Sequence, residues 1–199
     1  FTVGARDVNG GLWVSARDAG TNGIHNLFIS AAGSPTDYGG MAPNAWHAVM
    51  IAYDGNNATS PLGRNLQVWI DGSEIFNDPW GTIAQAEMNP MDYAGPCYVG
   101  MGDFSSGSAP GHDPDLWEGL HCYLSYVWAK EQYLDPATYW SSFFDATNKP
   151  IDVGADGSSV TGTAPDTYCP DADFTNNRGT GPNWTQVGTV ANAPSSPSD

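Results

Sequence analysis

Three aspartates flank a loop composed largely of glycine, serine and proline. Asp103 precedes this loop, and Asp113 and Asp115 end it. Calcium prefers several hard oxygen ligands supplied by a flexible loop, and carboxylates are its usual protein ligands. The three aspartates are therefore the best candidate calcium site in the sequence. The alternative is a solvated acidic loop, because aspartate is also a common loop residue.

Three aromatic residues lie near predicted loops and are candidates for carbohydrate binding: Trp80, Tyr93 and Trp117. A sugar site needs an exposed aromatic surface beside a few polar side chains. The alternative is that these rings belong to the core, as most aromatic side chains of a tryptophan-rich β protein do.

A second acidic segment contains Asp152, Asp156 and Gly157. Its spacing resembles a fragment of a calcium-binding loop. It lacks the acidic residue that closes such a loop. We therefore rank this segment below the loop that begins at Asp103.

The charge of the chain argues against two classes of partner. Twenty-two acidic and six basic residues give a net charge of -16, and the two lysines, Lys130 and Lys149, are far apart in sequence. Such a chain neutralises few phosphates, so we expect neither nucleic acid nor an anionic membrane surface as a partner. No apolar run approaches the roughly 18 residues of a membrane-spanning helix.

The stretch from Asn44 to Gly72 carries the clearest strand pattern. Two short apolar runs, Trp46 to Tyr53 and Leu66 to Ile70, are rich in β-branched and aromatic residues, and a loop of turn formers separates them. They predict a β-hairpin with a long loop. The first run is apolar on both faces and predicts a central strand, whereas the second alternates and predicts one face on a core.

Other segments extend this all-β pattern. Residues 12–17 and 25–31 alternate around a Gly/Asn turn and predict a second hairpin. Residues 97–103 and 116–129 predict further strands, and residues 77–81 predict a turn. The 24 glycines, 15 prolines and 12% aromatic residues in 199 residues also favour a turn-rich β protein with one domain and an extension.

One helix is predicted, and it starts at a capping signal. Asp135 is an N-cap candidate, Pro136 suits the first helical position, and apolar residues recur at 139, 140, 143 and 144. Beyond it, residues 146–199 are rich in Gly, Pro, Asp, Ser and Thr, with isolated apolar residues. We predict an extended arm that packs either on the body or on another copy, with flexible last residues.

The three cysteines, Cys97, Cys122 and Cys169, show no Cys-x-x-Cys spacing. At most one internal disulfide is possible, and Cys97 with Cys122 is the pair that neighbouring strands would allow. Three buried free thiols are the alternative that we favour.

The pattern Trp46-His-Ala-Val-Met-Ile-Ala-Tyr-Asp, the run Leu66-Gln-Val-Trp-Ile-Asp-Gly, and the later pieces Tyr98-Val-Gly-Met-Gly and Trp117-Glu-Gly-Leu resemble the laminin G-like, or concanavalin A-like lectin and glucanase, superfamily. The resemblance implies a jelly-roll sandwich of two antiparallel sheets over residues 1–145, with residues 146–199 as a C-terminal arm. Some members bind calcium at loops of the sandwich rim.

The arm carries a second resemblance. Phe143-Phe-Asp-Ala-Thr-Asn-Lys-Pro-Ile-Asp-Val-Gly-Ala-Asp-Gly and Asn177-Arg-Gly-Thr-Gly are similar to the C-terminal ends of laminin G-like proteins of tailed bacteriophages. This implies a decoration, fibre or tail component at the virion surface, with other virion proteins or copies of itself as partners. An extracellular location is the alternative.

Enzymes of this superfamily that cleave β-glucans carry a Glu-x-Asp-x-x-Glu strand, since retaining hydrolysis needs two carboxylates about 5 Å apart. The four glutamates, Glu74, Glu87, Glu118 and Glu131, do not form this pattern. We therefore expect no catalysis and a structural virion protein. A carbohydrate-binding lectin-like module, with calcium as its possible cofactor, is the second hypothesis. A glycan-degrading enzyme built on aspartates is the third.

Overall fold

The structure is a computed structural model, and it describes residues 2–5, 12–17, 24–29, 45–54, 65–78, 126–130, 132–171 and 175–185, the first three ranges as backbone only. These residues form eight strands and one helix: β1 (Thr2–Ala5), β2 (Leu12–Arg17), β3 (Ile24–Ile29), β4 (Val49–Asp54), β5 (Asn65–Ile70), β6 (Ser73–Asp78), β7 (Val127–Ala129), α1 (Pro136–Phe143) and β8 (Thr167–Cys169). The described part of the chain is mostly β, as predicted.

The first sheet has the order β1-β2-β3 and is antiparallel. In its register Leu12 pairs with Ile29, and Arg17 pairs with Ile24. This register confirms the hairpin predicted for residues 12–17 and 25–31.

The second sheet has the order β4-β5-β6. In β5, Leu66 and Val68 are fully buried and Ile70 nearly so, which confirms the core face predicted for this strand. Gln67 is also buried, at 7% exposure. Burial of Gln67 shows that the other face of β5 is also partly covered, which the predicted single core face does not explain.

Strand β4 differs from its prediction. It begins at Val49, not Trp46, and it includes Asp54. Ala52 is its one buried residue, and the other side chains of β4 are half-buried. An apolar run reports burial, whereas a strand also needs a hydrogen-bonded partner. Of residues 46–48, Ala48 is buried and the other two are half-buried, and none of the three belongs to the strand.

A two-residue turn joins β5 to β6. Asp71 and Gly72 both have positive φ, 49° and 80°, and Ile70 pairs with Ser73 across the turn. This is the type I′ geometry, which matches the right-handed twist of the strands and favours Asp-Gly. The prediction of a turn at residues 77–81 was wrong for Asn77 and Asp78, which belong to β6. The tight turn places β6 directly after Gly72, so these two residues extend its ladder.

The chain divides into two compact units: one contains Phe1–Ala45 and Tyr53–Cys122, and the other contains Trp46–Ala52 and Tyr123–Asp199. The core of the second unit consists of six buried side chains: Ala48, Leu134, Phe143, Phe144, Val153 and Tyr168. Aromatic rings dominate this core. Trp128 packs edge-to-face on Phe143 with ring centroids 4.8 Å apart.

Helix α1 confirms the predicted helix. Asp135 is its N-cap, and its carboxylate accepts a hydrogen bond from the backbone N–H of Ala137 at 3.2 Å. Pro136 stands at the first helical position, where a missing N–H costs nothing. The helix has eight residues, and no helix among the described residues is long and apolar enough to cross a membrane.

Residues after 145 take part in the core of the second unit. Strand β8 pairs with β7, and Val153, Tyr168 and Cys169 are each at most 2% exposed. Cys169 is buried, whereas Cys97 and Cys122 lie outside the described residues, so the pairing of the three cysteines stays a prediction. The division of the chain at residue 145 stays a prediction, as does the flexibility of the last residues.

Candidate functional site

The six predicted site residues lie outside the part of the chain that the structure describes: Trp80, Tyr93, Trp117, Asp103, Asp113 and Asp115. The carbohydrate and calcium sites assigned to them therefore stay predictions. The described residues offer three other places where polar groups converge.

The first place is the segment with Asp152 and Asp156. The carboxylate of Asp152 accepts a hydrogen bond from the Gly154 N–H at 2.9 Å, and that of Asp156 accepts one from the Ser158 N–H at 3.1 Å. Gly154 and Gly157 have positive φ. Both aspartates thus cap turns of their own backbone. Among the described residues, no three His, Cys, Asp or Glu side chains lie close enough to hold a metal ion.

The same segment is fixed to the core through Gly157. Its carbonyl accepts a 3.0 Å hydrogen bond from Nε1 of Trp128. A Cβ built on Gly157 would lie 2.9 Å from Cγ of Tyr168. The backbone therefore approaches the tyrosine ring at a distance that a side chain would prevent.

Lys130 anchors the next part of this segment. Its Nζ donates to the Thr163 hydroxyl and to the carbonyls of Thr163 and Ala164, the latter two at 3.2 and 3.1 Å. Three acceptors match the three donors of an ammonium group. One of the two lysines of the chain thus holds a loop in place.

The second place is residues 175–183, here called the clip. Oδ1 of Asn177 accepts from the backbone N–H groups of Tyr168 and Gly179, at 2.8 and 2.9 Å. The two hydrogens of its Nδ2 are shared among three backbone carbonyls, those of Asp166, Gly181 and Pro182, at 2.9, 2.9 and 3.2 Å. One amide side chain therefore serves five backbone groups.

The backbone of the clip runs beside residues 165–168. Arg178 N–H donates to the Tyr168 carbonyl, and Thr180 N–H donates to that of Pro165, each at 2.8 Å. A Cβ on Gly179 would lie 2.5 Å from the Pro165 carbonyl oxygen. The φ of Gly179 is not in the positive range, so the backbone conformation does not demand glycine. Glycine is required because a side chain would not fit between the two backbone segments.

Tyr168, which the clip bonds, packs against a second tyrosine, Tyr126. The rings of Tyr126 and Tyr168 pack edge-to-face with centroids 5.9 Å apart. The Tyr126 hydroxyl is buried without a hydrogen-bond partner among the described residues. Burial, followed by the nearby Tyr168 and Asp152, raises the pKa of Tyr126 far above its ordinary value. Burial also raises the pKa of Tyr168, and a hydrogen bond from the Val153 backbone opposes this shift.

The third place lies in the other unit, on one face of the β5–β6 hairpin. Nδ2 of Asn65 donates to Oδ1 of Asn77, and Nδ2 of Asn77 donates to Oε2 of Glu74 at 3.0 Å. We call these three side chains the polar strip. Asn77 and Glu74 are exposed, and Asn65 is half-buried.

A β-bulge shapes this face. The register shifts between Val68 and Trp69, so Asn77 pairs with Gln67 while Glu74 pairs with Trp69. The shift leaves Ile75 as the additional residue, and Ile75 is 38% exposed. Bulges increase the local twist and redirect side chains. Here the bulge brings Glu74 to the same face as Asn77, three residues away in a strand whose period is two.

The clip and the polar strip are the sites that sequence reasoning missed. The Asp71-Gly72 dipeptide was a usable signal for the strip, because a type I′ turn sets the register that follows. The bulge itself has no such signal. For the clip, the closely spaced Gly179 and Gly181 after Asn177 were the available sign of close backbone approach.

No protein-family model, curated protein or solved structure matches the chain. The resemblance to the laminin G-like superfamily stays a prediction.

Proposed function

We propose that the chain is a non-catalytic structural protein of a tailed-phage virion, a decoration, fibre or tail component built on a jelly roll. The observation that carries this proposal is the way the clip is joined to the fold. The clip contains Asn177-Arg-Gly-Thr-Gly, one of the runs with the predicted resemblance to phage C-terminal ends, and its polar side chains bond backbone groups of the clip and of Asp166 and Tyr168. Asn177 alone serves five backbone groups in this way.

Two acidic residues of the second unit, Asp145 and Asp156, support a structural role. The carboxylate of Asp145 accepts hydrogen bonds from the N–H groups of Thr147 and Lys149, and from the Thr147 hydroxyl. The Thr147 hydroxyl, followed by these backbone groups, lowers the pKa of Asp145. A general acid needs a pKa raised towards the working pH. Hydrogen bonds from Ser158 also lower the pKa of Asp156. The pKa shifts of Asp145 and Asp156 are therefore opposite to the shift that a general acid needs.

Quantitative mass spectrometry of tailed-phage particles tests the proposal. The particles are purified on a density gradient from the source of this chain. We expect the chain to sediment with the particles at a fixed copy ratio to the major virion proteins. A chain present only in the particle-free fractions contradicts the proposal. The full chain is needed, because removing residues 146–199 also removes β8 and the buried Val153.

A second candidate function is a carbohydrate-binding, lectin-like module, either free or on the same virion. The polar strip favours it, because amide and carboxylate groups on a strand face are suitable partners for sugar hydroxyls. The calcium site predicted at Asp103, Asp113 and Asp115 belongs to this candidate. A glycan array probed with and without chelator tests it. Binding under neither condition contradicts it.

A further inference from the structure

We propose that the polar strip, Asn65, Asn77 and Glu74, is a binding site for a neutral saccharide. This inference rests on the second candidate function and places its site on residues other than Trp80, Tyr93 and Trp117. It is independent of the calcium prediction, since the strip contains a single carboxylate.

The three side chains hold one another in a fixed orientation. Asn77 lies between the other two, accepting from Asn65 and donating to Glu74. A group whose rotamer is already fixed loses less conformational entropy when it binds a ligand. The strip is thus preorganised by the hydrogen bonds within it.

The strip also retains unused hydrogen-bonding capacity. Asn65 is bonded through Nδ2 and Glu74 through Oε2. Among the described residues, the other polar atoms of these side chains, Oδ1 of Asn65 and Oε1 of Glu74, accept no hydrogen bond. An amide offers two N–H donors and an acceptor oxygen, and a carboxylate offers two acceptor oxygens. Adjacent hydroxyl groups of a sugar present donors and acceptors in pairs, and they match this arrangement.

Apolar groups border the strip on the same hairpin. Trp69 pairs with Glu74 on the face that carries the strip, and its side chain is half-buried. Ile75 projects at the bulge. Ligand sites combine such apolar surface with a few placed polar groups, and the C–H face of a pyranose ring is the matching ligand surface.

The charge of the chain selects among saccharides. Glu74 is the one charged member of the strip, and the chain carries a net charge of -16. Long-range repulsion therefore disfavours sulfated, phosphorylated or uronic-acid-rich glycans. A neutral glycan that contains hexoses fits both the hydrogen-bonding groups of the polar strip and the negative electrostatic field of the chain.

The experiment measures the full-length chain on an array of neutral and anionic oligosaccharides. It compares the wild type with Glu74→Gln and Asn77→Ala. Ser73→Ala is the matched control, since Ser73 is exposed on the same hairpin and pairs with the buried Ile70 on the other face. Circular dichroism and thermal unfolding establish that each variant is folded. Glu74→Gln keeps the shape of the side chain, so it remains informative even if Asn77→Ala does not fold.

We expect the wild type to bind neutral glycans and Glu74→Gln to lose about tenfold in affinity, because hydrogen bonds to a carboxylate are replaced by weaker bonds to a neutral amide. Ser73→Ala should bind as the wild type does. The side-chain amide resonances of Asn65 and Asn77 should shift when the best neutral glycan is added. Unchanged binding by folded Glu74→Gln, with no such shift, overturns the site but leaves the carbohydrate-binding function standing. Absence of wild-type binding to every glycan overturns both.

Discussion

Oδ1 of Asn177 accepts a 2.8 Å hydrogen bond from the backbone N–H of Tyr168, a buried residue of β8. A side chain thus takes the place that a neighbouring strand's carbonyl would occupy in a regular ladder. The clip covers the side of β8 next to this N–H, and β7 pairs with β8 through the ladder. Exposed strand edges favour unwanted pairing with other chains, and covering an edge with a loop is a known way to prevent it.

Asn177→Ala should destabilise the second unit by about 2 kcal/mol, because several partly buried backbone groups lose their partner together. Urea and thermal unfolding measure this change. The neighbouring Asn176→Ala is the control, since Asn176 is exposed and its substitution should stay within about 0.5 kcal/mol of the wild type. Equal stability of the two variants would contradict the role given to Asn177.

Gly179→Ala should loosen the clip by a steric route. Its Cβ would meet the Pro165 carbonyl oxygen at 2.5 Å, a backbone atom that moves only with its segment. Gly162→Ala is the comparison, because Gly162 has a φ of 77° and open space around it, so only the backbone conformation is strained, at about 1–2 kcal/mol. We expect faster amide hydrogen exchange at Arg178 and Thr180 in Gly179→Ala alone. Unchanged exchange there would show that the clip tolerates a side chain.

Local sequence patterns predicted some of these features and failed to predict others. Local signals were sufficient for α1, where Asp135 and Pro136 act within one turn, and for β5, whose alternation needs one buried face. They were insufficient for the contact of Trp128 with Gly157 and of Asn177 with Asp166, because such contacts depend on loops that meet only after folding. The six predicted site residues lie outside the described part of the chain, so their prediction is untested.

Tyr126→Phe should leave stability unchanged or raise it by up to about 1 kcal/mol, because the hydroxyl that it removes is buried without a partner among the described residues. Tyr168→Phe should instead lose about 1 kcal/mol, since it removes the acceptor of the Val153 bond.

The raised pKa of Tyr126 means that this tyrosine ionises at lower pH in the unfolded chain than in the folded one. The free energy of unfolding should therefore be unaffected by this tyrosine below about pH 10 and should fall as pH rises above that value.

An alkaline unfolding titration measures this dependence. Tyr126→Phe should unfold at higher pH than the wild type. Identical alkaline transitions in the two proteins would show that Tyr126 does not cause the loss of stability at high pH.

Asp145 should titrate below the ordinary range of an aspartate, because the Thr147 hydroxyl and two backbone N–H groups bond its charged form. Since the folded-state pKa is lowered, the stabilisation is present above the ordinary carboxyl pKa and is lost as pH falls. Carboxyl carbon resonances followed by NMR report the midpoint. Thr147→Val should raise it, whereas Thr138→Val, which affects the Asp135 cap instead, should not. Equal midpoints in all three proteins would contradict the assignment.

The central claim is that the chain is a structural part of a virion. Immunogold labelling of intact, purified tailed-phage particles from its source, with an antibody against the full chain, tests this claim most directly. We predict label at one fixed position on nearly every particle. Particles without label, in a lysate that contains the chain in free form, would contradict the claim.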